Sequence, residues 1–246
     1  MSGLIHASNL LLQRGNRQLL SGLSFSIQSG QITVILGPNG AGKSSLLLAL
    51  AGLIPADGEL LLNRAAIAGY KRSELARQIA WQGELPPTEF GLTVKQRLLL
   101  AYGDGDGDRD ISVATFAMEI DALLNRPLAE LSSGERQRVE LAALMLREVP
   151  IWLLDEPTAH LDLKHQARCL KMMKNQAAAG RAIVTVLHDL QQAVAVADFV
   201  IFIDGKGHAE WGHADQMLTI DRLSTLFDTP LIGQGKLLIP DYGDGI

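Results

Sequence analysis

Eight consecutive residues, Gly37-Pro38-Asn39-Gly40-Ala41-Gly42-Lys43-Ser44, fit the pattern G-x-x-x-x-G-K-[ST] at every fixed position. A turn that grips phosphate needs small residues, because several backbone N–H groups must approach one triphosphate and point inward together. Lys43 adds a full positive charge for the β- and γ-phosphates, the Ser44 hydroxyl is a ligand for Mg2+, and Ser45 follows in the same phosphate-facing turn. The implied chemistry is binding of a nucleoside triphosphate. Further along, the apolar run Ile151-Trp152-Leu153-Leu154 ends in Asp155-Glu156. A carboxylate at the end of a strand can orient Mg2+, usually through water, which is the task expected of Asp155. Glu156 directly after it can orient the attacking water or accept its proton. Alone, an Asp-Glu pair after a strand is more often the acidic start of a helix. Following a complete phosphate loop, it points to hydrolysis.

These groups need elements that hold them. Residues 32–36 form a short apolar, partly β-branched run directly before the glycine-rich turn, and residues 43–52 carry Leu, Ala and Ser with no breaker. Strand, turn and mostly buried helix is the order a phosphate loop requires. Residues 151–154, 182–187 and 199–203 read as buried parallel strands, the first two each preceding a helical segment. Residues 4–12 and 19–27 read as a strand pair joined by a turn at Gly15-Asn16. The middle differs: residues 94–102 and 112–124 have helical patterns with no strand between them. The expectation is an α/β fold with a mixed central sheet, an antiparallel β portion at the front, and a helical insertion over residues 84–149. Residues 213–246 are expected to be a C-terminal cap within one domain spanning 1–246.

The segment Leu131-Ser132-Ser133-Gly134-Glu135-Arg136-Gln137 presents a second helix start, with Ser132 as a capping hydroxyl and Gly134 allowing close backbone approach to phosphate. Val139, Ala142, Ala143 and Leu146 follow at helical spacing and should bury one face. By itself this is an ordinary capped helix. Beside the two motifs above, it resembles the signature of the ABC (ATP-binding cassette) ATPase family, usually written LSGGQ, with Ser133 for the first glycine and Glu135 for the glutamine. The resemblance covers about residues 4–212. It implies a P-loop NTPase of ABC type that binds ATP and Mg2+ and hydrolyses ATP. It also implies that Ser132, Ser133, Gly134 and Glu135 contact the nucleotide of a second copy, so that a lone chain is half of each active site. Gln82 falls where the family has its Q-loop glutamine, which reaches Mg2+ or the attacking water. His188 matches the switch histidine at the γ-phosphate, and Ala159-His160-Leu161-Asp162 matches the loop along the dimer seam.

Composition sets outer limits. With 22 basic and 27 acidic residues the net charge is -5, which argues against a duplex nucleic-acid binder. The single cysteine, Cys169, excludes an intramolecular disulfide, fits a reducing compartment and reads as a small apolar helix residue. No apolar run reaches the roughly 18–20 residues a spanning helix needs, and the N-terminus lacks a signal-peptide pattern. A membrane role would therefore run through a partner.

The stretch Glu156-Pro157-Thr158-Ala159-His160-Leu161-Asp162-Leu163-Lys164-His165-Gln166 is most similar to ATPases of bacterial importers for iron–siderophore complexes, haem and vitamin B12. The Pro86-Pro87 pair, the short insertion and the length suit the vitamin B12-like end of that group. This resemblance implies a homodimer at the cytoplasmic face of the cell membrane. The dimer would sit beneath an integral-membrane permease fed by a periplasmic substrate-binding protein, with residues 82–102 forming the permease groove. Alternatives are an exporter ATPase for haem or lipid, and a soluble ABC ATPase of DNA repair or translation. The latter usually carries tandem cassettes, long insertions or basic arms, which this sequence lacks. One departure concerns the base. The family's adenine-stacking aromatic has no counterpart at residues 7–20, which leaves Arg14 as the cationic candidate. The Asp104-x-Asp106-x-Asp108 run, with Arg109 and Thr115 where a calcium loop wants Gly and Glu, reads as a solvated loop; Asp121 and the acidic tail at 241–244 read as exposed charge.

Overall fold

The computed structural model describes residues 4–15, 17–83, 85, 91–102, 110–234 and 237–240. Asn16, the Pro86-Pro87 pair, the Gly-Asp loop at 103–109 and the acidic tail lie outside the described residues. The first half runs β1 (Ile5–Arg14), β2 (Arg17–Ile27), β3 (Ile32–Leu36), α1 (Lys43–Leu50), β4 (Asp57–Leu62), β5 (Ala65–Ala66), α2 (Arg72–Leu75) and β6 (Ile79–Gln82). Then come α3 (Val94–Ala101), α4 (Ser112–Met118), α5 (Ser133–Met145), β7 (Ile151–Asp155), α6 (Leu163–Ala178), β8 (Ala182–Val186), α7 (Leu190–Val196) and β9 (Phe199–Ile203). The chain closes with β10 (Ala209–His213), α8 (Ala214–Met217), α9 (Ile220–Phe227), β11 (Leu231–Gln234) and β12 (Leu237–Pro240).

Strand burial follows strand chemistry. Every residue of β3, β8 and β9 is buried, as apolar strands covered on both faces should be. By contrast β1 alternates between buried and accessible positions, as a half-covered antiparallel strand does. The central sheet has the order β10-β9-β3-β8-β7-β6, parallel from β9 to β6 and antiparallel at β10. The front sheet is antiparallel in the order β2-β1-β4-β5. Alternate residues of β7 enter opposite cores: Trp152 and Leu154 pack with α5 and α6, whereas Ile151 and Leu153 pack toward α1 and the front sheet. Register brings the functional ends together. Gln82 pairs beside Leu154, and Asp155 beside Val186, so β6, β7 and β8 terminate at one edge, where β3 also ends. In parallel α/β sheets that carboxyl edge is where ligands bind.

Between β6 and β7 the regular elements among the described residues are all helical, apart from an isolated bridge from Thr93 to Pro127. Arg97 of α3 clasps Glu140 of α5, its Nε donating at 2.9 Å. The helix expected over 112–124 is shorter than its pattern suggests. It stops at Met118 because Glu119 turns into the left-handed region, φ 52°, and only a single 3-10 turn follows at Asp121–Leu123. Glu119 then meets Lys164 and Arg168 of α6, with the Arg168 Nη2 contact at 2.6 Å. Asp121 is exposed as expected and also accepts a 2.6 Å bond from Thr115 Oγ1. The C-terminal elements join the same core through Met217, Leu223 and Leu231.

Candidate functional site

The phosphate loop is shaped by what glycine permits. A Cβ at Gly37 would lie 2.0 Å from the carbonyl oxygen of Ile203, so only glycine lets the loop run against the end of β9. Gly42 precedes α1 in a left-handed conformation, φ 109°, and aims the N-terminus of that helix back at the loop. Lys43 is buried, and its Nζ donates to the carbonyls of Gly37 at 2.8 Å and Pro38 at 3.0 Å. Burial lowers its pKa, while Glu156 and Asp155 act in the opposite direction. An ammonium held half-dehydrated against neutral carbonyls gains strongly from an arriving phosphate. Above the loop is a cavity of about 670 Å³, lined among others by Arg14, Asn39, Lys43, Ser44, Glu156 and His188.

Glu156 and His188 touch, with Nε2 and Oε1 2.5 Å apart. Glu156 holds a left-handed backbone, φ 52°, an uncommon state for a non-glycine residue and one tolerated where the surroundings impose it. One surrounding tie is the Glu156 N–H, which donates to the Val186 carbonyl at 3.2 Å. A second cleft of about 350 Å³ shares Ser44 and Glu156 with the first and adds Gly83, Gln137, Asp155 and His160. Asp155 lies beside Ser44, and burial pushes its carboxyl above the usual carboxylate range, outweighing the opposing effect of the Ser44 side chain. Its Oδ1 is buried with no hydrogen-bond partner, and so is Gln82 Oε1; Gln82 Nε2 donates to the Gly83 carbonyl at 3.0 Å. Unsatisfied buried oxygens are uncommon and costly. Two of them, at the paired ends of β6 and β7 and with the Ser44 hydroxyl beside Asp155, form the all-oxygen donor set that a hard cation such as Mg2+ takes. The residues fit that ion.

The signature segment lies elsewhere. Ser132 caps α5: its Oγ accepts from the Glu135 N–H at 3.2 Å, and its own N–H donates to Glu135 Oε2 at 2.8 Å. This reciprocal box is a strong helix start. Gly134 abuts the loop after β7, where a Cβ would meet the His160 carbonyl oxygen at 2.7 Å. As the spacing predicts, Val139, Ala142, Ala143 and Leu146 are buried. Neither cavity above is lined by residues 132–135. The structure therefore gathers Gln82, Asp155, Glu156, His188 and the phosphate loop at one place, and leaves the Ser132 tip apart from them within the chain.

Some residues at the site were not singled out from sequence. Arg17 lines the first cavity together with Arg14, its strand partner across the turn, and its Nη2 donates to the Gly205 carbonyl at 3.1 Å. Two arginines flanking a Gly-Asn turn are the signal that points to it. Gln137 is buried and donates to the Pro157 carbonyl at 2.9 Å, and buried Thr158 donates to Gln192 Oε1 at 2.7 Å, so both fix the loop that follows Glu156. Isolated polar residues in helices give no such signal in sequence.

Comparisons with known proteins agree on what this arrangement resembles. Residues 20–159 match the family described as ABC transporter. A protein of Streptomyces coelicolor named hemin import ATP-binding protein is 35% identical over 233 residues, spanning 92% of this chain and 83% of the relative. One of the same name from Nocardia farcinica is 36% identical over 223 residues, spanning 87% and 77%. A solved ATP-binding subunit of an ABC transporter superposes with a TM-score of 0.79 at 26% identity, covering 91% of this chain and 94% of that one. A metal-chelate type ABC transporter in an inward-facing conformation gives 0.79 at 23% identity over 97% and 98%, a likeness of fold.

Proposed function

This chain belongs to the ABC transporter ATP-binding family, and on that premise we propose that it powers uptake of hemin or a related metal chelate through a separate permease. The observation that carries the cargo class is the shared name of relatives covering about nine tenths of the chain, all hemin import ATP-binding proteins. The chain is an ABC-type ATPase that binds ATP. Among the described residues no helix is long and apolar enough to cross a membrane, so in this reading the permease is another polypeptide.

In the proposed mechanism two copies close on two ATP molecules. Backbone N–H groups of residues 37–44 and the α1 N-terminus hold the phosphates of one ATP, and Lys43 leaves its carbonyl partners for the β- and γ-oxygens. Arg14 and Arg17 lie over the base. Ser44, Asp155 and Gln82 would hold Mg2+, which would supply neutralising charge to the β- and γ-phosphates. Glu156, kept in place by His188, orients the attacking water and accepts its proton, and His188 then faces the γ-phosphate. The Ser132-led tip of the second copy completes the site, so ATP favours the closed dimer by making contacts there that ADP lacks. Loss of phosphate reopens it.

Residues 84–149 act as a helical subdomain that carries the tip, and residues 213–246 as a cap. The permease docks near residues 82–102, where Leu100 of α3 is 64% exposed and supplies apolar surface. A periplasmic binding protein delivers cargo on the far side of the membrane. The experiment is reconstitution of the chain with the genomically adjacent permease in proteoliposomes. ATP-driven uptake of hemin from a hemin-loaded binding protein, abolished by Glu156→Gln, is expected. Efficient uptake of vitamin B12 or a ferric siderophore with none of hemin would overturn the cargo assignment.

A further inference from the structure

The signature helix tip is closed by its own carboxylate. A serine hydroxyl has one proton to donate. Ser132 Oγ gives it to Glu135 Oε2 at 2.9 Å, and the Ser132 N–H donates to the same oxygen at 2.8 Å. The Glu135 N–H is in turn committed to Ser132 Oγ at 3.2 Å. These are donors that an anion arriving at this helix start would use. The first cause holding the Glu135 carboxyl below the usual range is the Ser132 N–H bond, followed by the hydroxyl, so it is charged at neutral pH. A full negative charge therefore stands at the point where the second chain's γ-phosphate would come. Its other oxygen, Oε1, is 3.6 Å from Arg126 Nη1, and Arg126 is itself fixed by a 2.8 Å bond from Nη2 to the Glu130 carbonyl.

We propose that the Glu135 side chain is a built-in competitor of the partner's γ-phosphate. In the resting chain it occupies the Ser132 donors; for the nucleotide sandwich to close it releases them and turns to Arg126, which takes up its charge. The Glu135 backbone N–H can keep its bond to Ser132 Oγ throughout, so only the carboxylate opposes closure. This rests on the two-chain reading above. It makes Glu135 a positioning residue that sets how much ATP is needed to close the dimer, with Arg126 as the receiving group. An ordinary helix cap makes the opposite prediction. As a mere cap, Glu135 stabilises α5, and removing its charge would leave the dimer unchanged or weaken it.

The test uses full-length protein in the hydrolysis-slowed Glu156→Gln background, with ATP-dependent dimerisation followed by sedimentation velocity. Adding Glu135→Gln, which keeps a residue type accepted in a capping box, is expected to lower the ATP concentration for half-dimerisation about tenfold, as loss of a like charge within a few ångströms does. Its thermal midpoint should stay the same or fall, so the gain in affinity comes with no gain in stability. Arg126→Ala should raise the ATP requirement, and added salt should narrow the gap between the proteins with and without the Glu135→Gln substitution. Glu135→Ala serves as a second variant and should shift in the same direction as Glu135→Gln. If Glu156→Gln dimerises with ATP and the Glu135 variants dimerise equally or less readily, the competitor role is overturned. If no background dimerises with ATP, the two-chain reading itself fails and takes this proposal with it.

Discussion

Gly134→Ala probes the contact between the signature helix and the loop that begins at Glu156, the residue proposed to orient the attacking water. The added Cβ would lie 2.7 Å from the His160 carbonyl oxygen, while ordinary contact begins at 3.4 Å, so helix and loop must part by about 0.7 Å. The loop cannot yield alone. It is pinned by Gln137 to Pro157 at 2.9 Å, by Thr158 to Gln192 at 2.7 Å and by the Ala159 N–H to the Glu156 carbonyl at 3.0 Å. Overpacking of this kind costs about 1–3 kcal/mol. Against it, replacing glycine by alanine in the first helical turn returns up to about 1 kcal/mol. The net loss of stability is therefore about 0–3 kcal/mol. The effect on turnover is larger, because Glu156 begins the displaced loop, and misplacement approaching 1 Å costs about 10²-fold. The phosphate loop lies on other elements, so a fluorescent ATP analogue should bind with an affinity within about twofold of wild type. Phosphate release should fall about 10- to 100-fold. Phosphate release equal to wild type, in a protein whose melting curve is also unchanged, would refute the idea that this contact sets the position of Glu156.

Three further outcomes follow from the site. Glu156→Gln should bind ATP normally and hydrolyse it at least about 10²-fold more slowly, the scale of losing one preorganised catalytic group; near wild-type phosphate release would remove Glu156 from its proposed role. Arg14→Ala and Arg17→Ala should each weaken ATP binding about two- to fivefold, as expected for losing one exposed cation–π contact, and an unchanged dissociation constant for either excludes that arginine from the base. Cys169 is buried and its thiol is pushed up to about 12 by desolvation, so at pH 8 it should react with a thiol reagent about a thousandfold more slowly than in denatured protein. Fast labelling of the native chain would place that residue at the surface.

Legibility in the sequence depended on how local each feature is. The phosphate loop, Asp155-Glu156 and the buried strands β3, β7, β8 and β9 are contiguous patterns, and each lies in the structure where its residues indicate. The signature helix was readable because capping and apolar spacing are both short-range. By contrast β6 is four residues, Ile79–Gln82, and β4 begins with Asp-Gly-Glu, so neither shows strand periodicity; their pairing with β7 and β1 makes them strands. The early end of α4 was hidden for a similar reason. Residues 119–124 keep a helical apolar pattern, but the carboxylate of Glu119 is drawn to Lys164 and Arg168, more than forty positions away. Gln82 was placed from family order alone, and only the register explains its position beside Asp155. Arg17, Gln137 and Thr158 depend on contacts across the fold, which no local window contains.

The loop from Glu156 to Asp162 has two non-glycine residues with positive φ, Glu156 at 52° and His160 at 63°. Neither state is intrinsically favoured, and each costs of order 1–3 kcal/mol unless the surroundings impose it. Here the surroundings are the buried bonds of Gln137, Thr158 and Gln192, together with the tight approach of Gly134 to His160. Gln137 lies on the signature helix itself, one turn beyond Ser132. The element that would feel the partner's phosphate is thus bonded directly to the loop that aims Glu156. In the proposed dimer a link of this kind would turn closure at one nucleotide into a displacement at the other, because close-packed contacts transmit strain. That is a physical route by which two half-sites would act together, and it requires no residue beyond those already packed between them.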